Sequence, residues 1–350
     1  MPRCVRLLAL LVYLLAISGC SSVGYYWQAI HGHFAIVARE QPIDKVLQQH
    51  DLDPVLRQKL ELVEQARQFA SAKLALPDNG SYTRYADLQR SYVTWNVIAT
   101  PAYSVKPRQW CYLFAGCFNY RGYFHKKDAL EFAKDLKHQG FDVAVSGAWA
   151  YSTLGWFDDP VLNTMLQHDD ADVIGILFHE LGHQTVYVKD DSSFNESFAN
   201  AVEQEGLRRW YLHIGKPARY QAYLLRQRQR NEIIHMLEDT RAKLRQLFAQ
   251  PINKVQMQQQ KQALFVTLKR QYETWRTQHS YAGYDRWMQQ DLNNAHLALV
   301  ATYSDKVPAF LAMLAAQHGN LPAFYREARR VGDLPAQQRL AALDAYRQTP

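Results

Sequence analysis

The chain contains an apolar run that leads directly into two histidines four residues apart, DVIGILFHELGHQ at positions 172–184. The run is typical of a buried α-helix, and Asp172 suits its first turn. At 100° per residue, His179 and His183 lie about 40° apart and about 6 Å along the axis, so both imidazoles can reach one ion. Glu180 projects to the side, where it can take a proton from metal-bound water. The stretch predicts part of a catalytic metal site, and the alternative is a structural helix with two surface histidines.

A third ligand is required, because catalytic zinc takes three protein ligands and leaves its fourth position open for water. The best candidate is Glu196, thirteen residues beyond the second histidine, in a second helical run that follows a polar connector. Asn200 stands one turn further on and can orient a ligand by hydrogen bonding, and Glu203 shares that face. Asp190 and Asp191 in the connector are the competing ligands. A surface carboxylate with a capping role is the alternative for Glu196.

Composition places the chain among ordinary globular proteins. Of its 350 residues, 48% are hydrophobic and 21% are charged, which excludes a disordered chain, a collagen-like repeat and a polytopic membrane protein. The length favours one large domain or two smaller ones. The formal charge of +7 is mostly spread along amphipathic helices, so we expect no nucleic-acid partner.

The first twenty residues have the pattern of an export signal. Two arginines precede an apolar run at 7–17 that is too short to span a bilayer permanently. The run closes with ISGC at 17–20, which resembles the lipobox of bacterial lipoproteins. We expect cleavage before Cys20 and lipidation of its thiol. Because Ser21 rather than aspartate follows, we expect an anchor in the outer membrane facing the periplasm. The alternative is an uncleaved N-terminal anchor helix.

Two further cysteines close the short loop CYLFAGC at 111–117. In an oxidising compartment we expect a disulfide between Cys111 and Cys117, which contributes roughly 2 kcal/mol on the chain-entropy model. Two buried free thiols are the alternative.

Periodicity predicts helix over most of the chain. Helices are expected at 43–76, 127–138, 172–186, 194–214, 219–248 and 254–278, and strands at 92–99, 120–124 and 141–145. Pro251 separates the two long C-terminal helices, which favours an antiparallel hairpin. The expected fold class is α+β and predominantly helical.

Several segments together resemble one known family. FHELGHQ at 178–184, followed by FNESFA at 194–199, is similar to the zinc aminopeptidases of bacterial lipoproteins known as the putative aminopeptidase family. The same likeness extends to YYWQAI at 25–30, CFNYRGYF at 117–124, AYSTLGWFDDP at 150–160 and NNA at 293–295. The resemblance implies one Zn²⁺ ion with three ligands, His179, His183 and Glu196. It also implies that Glu180 is the catalytic base.

The resemblance further implies a zincin-like core of the gluzincin kind, with a small β-sheet beside the metal helix and a long-helix region after it. The expected parts are a lipoprotein signal peptide at 1–19, an N-terminal helical segment at 20–80, the catalytic core at 81–215 and a helical C-terminal region at 216–350. Thermolysin-like gluzincins have aspartate where this chain has Asn200. The Gly-x-Met-Glu-Asn segment that binds a substrate amine in zinc aminopeptidases does not occur in the sequence.

The strand that ends near residue 150 precedes the metal helix, and its edge can pair with an extended peptide; an internal strand is an equal alternative. Tyr151 follows and is a candidate donor to the oxyanion.

The sequence therefore predicts a periplasmic zinc metallopeptidase that acts on peptides or unfolded proteins, with the aminopeptidase activity implied by the resemblance. The alternative is a non-catalytic envelope lipoprotein with a structural metal and a helical partner-binding face.

Overall fold

A computed structural model describes residues 24–112, 116–150, 153, 157–300 and 306–348, which are mainly helical with small sheets. The predicted fold class, α+β and predominantly helical, is confirmed. The helices are α1 (residues 24–37), α2 (Ile43–Leu47), α3 (Pro54–Leu74), α4 (Lys126–His138), α5 (Asn163–Leu166), α6 (Asp170–Thr185), α7 (Ser192–His213), α8 (Pro217–Phe248), α9 (Lys254–His279), α10 (Asp285–Met288), α11 (Asn294–Val300), α12 (Val307–Ala316), α13 (Leu321–Gly332) and α14 (Ala336–Gln348). The strands are β1 (Glu40–Pro42), β2 (Arg84–Ala86), β3 (Thr94–Pro101), β4 (Trp110–Tyr112), β5 (Gly116–Phe118), β6 (Arg121–Tyr123), β7 (Phe141–Ala148) and β8 (Val161–Leu162).

The predicted continuous helix over 43–76 is wrong, because the chain breaks between α2 and α3. Asp53 caps the new helix, its side chain accepting a hydrogen bond from Leu56 N at 2.9 Å. Pro54 occupies the first turn, where its missing N–H costs nothing, but in a continuous helix it would remove a hydrogen bond. The cap and the proline together favour a new helix that begins at Pro54 over continuation of α2.

One three-stranded sheet has β3 in its centre, with β6 and β7 antiparallel on either side. Helix α4 packs its apolar face on this sheet. Among the described strands, β7 pairs with β3 alone and is therefore an edge strand. The small residue Gly147 in β7 serves local packing, because a side chain there would collide with the ring of Tyr92.

Helices α6 and α7 form the centre of the main core. Phe178 of α6 lies so close to Gly206 of α7 that a Cβ at 206 would stand 2.6 Å from its ring. On a second face of α7, Phe198 packs against Phe310 and Phe324 at ring separations of 5.6 and 5.5 Å. Burial of these rings against two faces of α7 holds it between α6 and the helices α12 and α13.

The long helices α8 and α9 pack on each other around a second apolar cluster that includes Leu237, Phe265 and Leu268. Lys261 of α9 ties this hairpin to the sheet, because its Nζ lies 2.6 Å from the carboxylate of Asp142 in β7. Helices α12–α14 instead contribute to the core around α7. The domain limits at residues 80 and 215 remain a prediction. No helix in the described ranges is long and apolar enough to cross a membrane.

Candidate metal centre

The two histidine rings of α6 converge on one point. Asp169 caps the helix by accepting a hydrogen bond from Ala171 N at 3.1 Å, and the apolar run buries the helix on most sides. His179 and His183, on successive turns, are only 8% and 6% exposed. Their Nε2 atoms lie 3.1 Å apart, so both lone pairs can address a single ion.

Glu196 approaches the same point from α7. Its Oε2 lies 3.4 Å from Nε2 of His179, and its Oε1 lies 3.7 Å from Nε2 of His183. The connector is held by Asn195, whose amide both accepts from Val188 N and donates to Val188 O at 2.7 Å. One ligand atom from each of the three side chains lies within 4.8 Å of the others. The structure thus brings the three predicted ligands together.

Glu203, one turn beyond Asn200, contacts the far side of the first histidine. Its Oε2 lies 3.3 Å from Nδ1 of His179, an ion pair when the imidazole is protonated. Its Oε1 accepts a hydrogen bond from the phenol of Tyr223 at 2.9 Å. Gly175 makes room, since a Cβ there would stand 2.9 Å from Oε1 of Glu203.

The other polar candidates near the ligands have different positions. Asn200 lines the cavity beside the ligands, and among the described residues no hydrogen bond joins its amide to them. Asp191 caps α7 by accepting from Phe194 N at 2.9 Å. Asp190 is an exposed connector residue with a positive φ of 62°. Glu203 contacts the imidazole of His179, and the ligand-orienting role of Asn200 remains a prediction.

The electrostatics of the cluster favour a positive charge at its centre. Burial acts to lower the pKa of His179, but the contacts with Glu196 and Glu203 outweigh it and raise this pKa to about 10. Burial and the neighbouring charge of His179 lower the pKa of His183 to about 4. Burial acts to raise the pKa of Glu196, yet the contact with His179 lowers it overall. Two carboxylates around two imidazoles thus attract a cation.

Glu180 follows the first histidine on α6 and is more accessible than the two rings. Its side chain is partly exposed, whereas His179 and His183 are buried. Its negative charge also contributes to the raised pKa of His179. A partly exposed carboxylate can exchange a proton with solvent water.

A cavity of about 360 Å³ opens beside the ligands. Trp149 lines it just beyond the end of β7, and α8 lines it with Gln227 and Arg230. Sequence reasoning named no residue of α8. Tyr223, Gln227 and Arg230 share one helical face by their spacing, but spacing alone does not indicate what that face contacts.

Three sequence predictions concern other parts of the chain. Tyr151 and Cys20 lie outside the described residues, so the oxyanion donor and the lipid anchor remain predictions. Cys111 and Cys117 are cross-strand partners in β4 and β5, and a disulfide joins their sulfurs.

Comparison with known proteins places the chain in a family. Residues 24–343 match the model of a family described as putative aminopeptidase. The chain belongs to this family. The match covers α1 through most of α14, so the candidate ligands His179, His183 and Glu196, the sheet around β3 and the long helices all lie within the matched region. No curated protein and no solved structure matches the chain.

Proposed function

We propose that this family member is a zinc-dependent metallopeptidase and that it acts as an aminopeptidase. The observation that carries the proposal is the convergence of His179, His183 and Glu196 on one point. Two imidazoles and a carboxylate are a donor set that zinc accepts in catalytic sites. Three protein ligands also leave one coordination position for water or substrate, which a purely structural site does not need.

The arrangement supports a division of labour among the side chains. Zn²⁺ held by the cluster would supply Lewis acidity, which acidifies water and polarises a peptide carbonyl. The carboxylate of Glu180 takes the proton from the attacking water and delivers it to the leaving amine. Glu203 holds the ring of His179 through Nδ1 and so keeps Nε2 aimed at the centre of the cluster. Tyr151 is the proposed donor to the oxyanion.

The surroundings favour a short or terminal peptide segment as substrate. Helix α8 walls one side of the cavity, and two carboxylates besides that of Glu196 line it, those of Asp172 and Glu203. Glu203 already contacts His179 and Tyr223, so Asp172 is the carboxylate proposed to attract the free ammonium group of an unblocked peptide. The edge of β7 leads to Trp149 at the cavity, and an extended substrate can pair with such an edge. We include α6, α7 and this sheet in a zincin-like core.

The proposal extends to cellular location. Cys20 carries the lipid that anchors the protein in the outer membrane, with the catalytic part in the periplasm. Its substrates are peptides or unfolded proteins of that compartment. The lipobox-like sequence at 17–20 and the run before it support this.

Metal analysis combined with two peptides tests the activity. The purified protein should contain about one zinc per chain and cleave a peptide with a free amino terminus but not its acetylated form.

Glu180→Gln should keep zinc and lose turnover by about 10²–10⁴-fold, because an amide cannot accept the proton. Asp190→Asn removes an exposed carboxylate outside the cluster and is the matched control with full activity. Cleavage of both peptides would indicate an endopeptidase. If zinc is bound and no peptide is cleaved, a structural metal in a partner-binding lipoprotein is the better interpretation.

A further inference from the structure

Helix α1 packs against the rest of the chain with one face only. Its more buried positions, 25, 28, 29, 32, 33 and 36, recur every three or four residues. The side-chain amide of Gln28 donates to Gly122 O at 3.3 Å and accepts from Phe124 N at 3.1 Å. A side chain at Gly32 would collide with the ring of Phe124. These contacts fix the rotation of α1 and therefore which side chains point outward.

The outward face of α1 is strongly apolar. Its large side chains are exposed, with Tyr26 at 39%, Trp27 at 65%, Ile30 at 52%, Phe34 at 63% and Val37 at 43%. No Asp, Glu, Lys or Arg occurs between positions 24 and 38. Helices in contact with water normally carry polar residues on the outer face. A contiguous exposed apolar patch indicates a binding surface for protein or membrane.

The apolar surface continues beyond the helix. Phe118 of β5 is 36% exposed and reaches the outward face of α1 through Tyr112, whose ring lies 6.1 Å from Phe118 and 6.1 Å from Tyr26. Phe157 is 60% exposed, and its ring lies 5.0 Å from that of His33. We refer to the outward face of α1 together with Phe118 and Phe157 as the α1 patch.

We propose that the α1 patch lies in the interfacial layer of a phospholipid bilayer. This rests on the envelope anchoring proposed above. Cys20 precedes Gly24 by four residues, so at most about 14 Å of chain separates the lipid from α1. An uncleaved apolar run at 7–17 would also bring α1 to the bilayer, so both interpretations of the N-terminus favour the same occupant. Tryptophan and tyrosine, the residues at 25–27, prefer the membrane–water interface.

The geometry of α1 implies that it lies flat. Its 14 described residues span about 21 Å, which is less than the hydrocarbon thickness of about 30 Å. Because the inner face is bound to the protein, only the outer face can enter lipid. Apolar side chains then reach about 5–10 Å into the boundary between headgroups and acyl chains.

The depth of Trp27 tests the proposal in the complete protein. The lipidated protein is placed in vesicles with or without brominated phospholipids, and the emission of Trp27 is obtained as the difference between wild type and W27F. Trp287, obtained in the same way from W287F, is the control because it packs against the separate α8–α9 cluster. We expect brominated lipid to quench Trp27 several-fold more strongly than Trp287. Equal quenching of both in vesicle-bound protein overturns the proposal.

A second measurement does not depend on the lipid. The mature chain from Ser21 onward retains every described residue, and its affinity for vesicles is measured by co-sedimentation. We expect W27S/F34S to bind at least about tenfold more weakly, from the loss of buried apolar area. The matched control V255S/V266S alters α9 positions that are 68% and 56% exposed and should bind as wild type does. Equal affinities of the two variants, or self-association of the chain through this face, overturn the proposal.

Peptide hydrolysis in the same samples separates this inference from the proposed activity. The α1 patch contains none of the residues assigned to metal binding or proton transfer. Loss of vesicle binding with full hydrolysis by W27S/F34S supports the proposal. If the protein binds vesicles through the patch but cleaves no peptide, the membrane inference stands and the peptidase proposal fails.

Discussion

Replacement of Glu203 by glutamine removes the negative charge that contacts His179, the first of the three proposed metal ligands. Its Oε2 lies 3.3 Å from Nδ1 of His179, and its side chain is only 17% exposed. Unit charges at that separation attract by about 5 kcal/mol at an effective dielectric constant of about 20, and a metal-bound imidazole carries part of such a charge. We expect E203Q to weaken zinc binding about 10- to 100-fold, which corresponds to about 1.4–2.8 kcal/mol.

Two neighbouring variants give this experiment its controls. Tyr223→Phe removes only the 2.9 Å hydrogen bond to the other oxygen of Glu203 and should weaken zinc binding about fivefold, because such a bond contributes about 1 kcal/mol. Asn200→Ala should bind zinc as wild type does. Competition against a chromogenic chelator gives each dissociation constant, and thermal unfolding of the chelated proteins checks that the fold is retained. The reasoning is refuted if E203Q binds zinc as tightly as wild type, or if N200A is the weaker of the two.

Three further outcomes are expected. Removal of zinc by a chelator should lower the free energy of unfolding by about 2.7 kcal/mol relative to a sample with free zinc at about 100 times Kd; equal urea midpoints would contradict a specific site. Gly206→Ala should destabilise the protein by about 1–3 kcal/mol, because the added Cβ stands 2.6 Å from the ring of Phe178; an unchanged melting temperature would show that α6 and α7 can separate without cost. Burial acts to raise the pKa of Glu205, but hydrogen bonds from Arg208 and Arg209 outweigh it and lower this pKa. The stability that this carboxylate contributes is therefore full above its unfolded pKa of about 4.3 and is lost as the pH falls through the folded pKa. We expect the difference in free energy of unfolding between wild type and Glu205→Gln, measured with urea, to disappear in acid and to persist in base.

Length and composition made the long helices predictable. The helices expected at 194–214, 219–248 and 254–278 match α7, α8 and α9 within two residues at each end. The two longest, α8 and α9, are rich in Gln, Lys, Arg and Leu, which favour helix, so local preference and the folded structure agree. The break at Pro54 was missed because the apolar period continues across it. The short strands β1, β2 and β8 were also missed, since segments of two or three residues have too few positions to show a period.

For the site, the sequence determined the histidine pair and its neighbour. Positions four apart on a helix share a face whatever the helix packs against, so His179 and His183 had to converge once α6 formed. The sequence did not determine whether Asn200 or Glu203 contacts the ligand imidazole. Relative to Glu196 on α7 they are rotated by about +40° and −20°, and both share its face. Spacing alone does not separate them.

Tertiary packing decided that choice. The close contact of Phe178 with Gly206 and the space left at Gly175 set how α7 crosses α6, and this crossing brings Glu203 to the imidazole. In the same way, only the folded chain brings Tyr223 of α8 to Glu203 and leaves Trp27 of α1 facing outward. Helical period specifies which side chains share a face, because it is a property of the local backbone. What each face meets depends on contacts between segments far apart in the chain, and no local pattern encodes those.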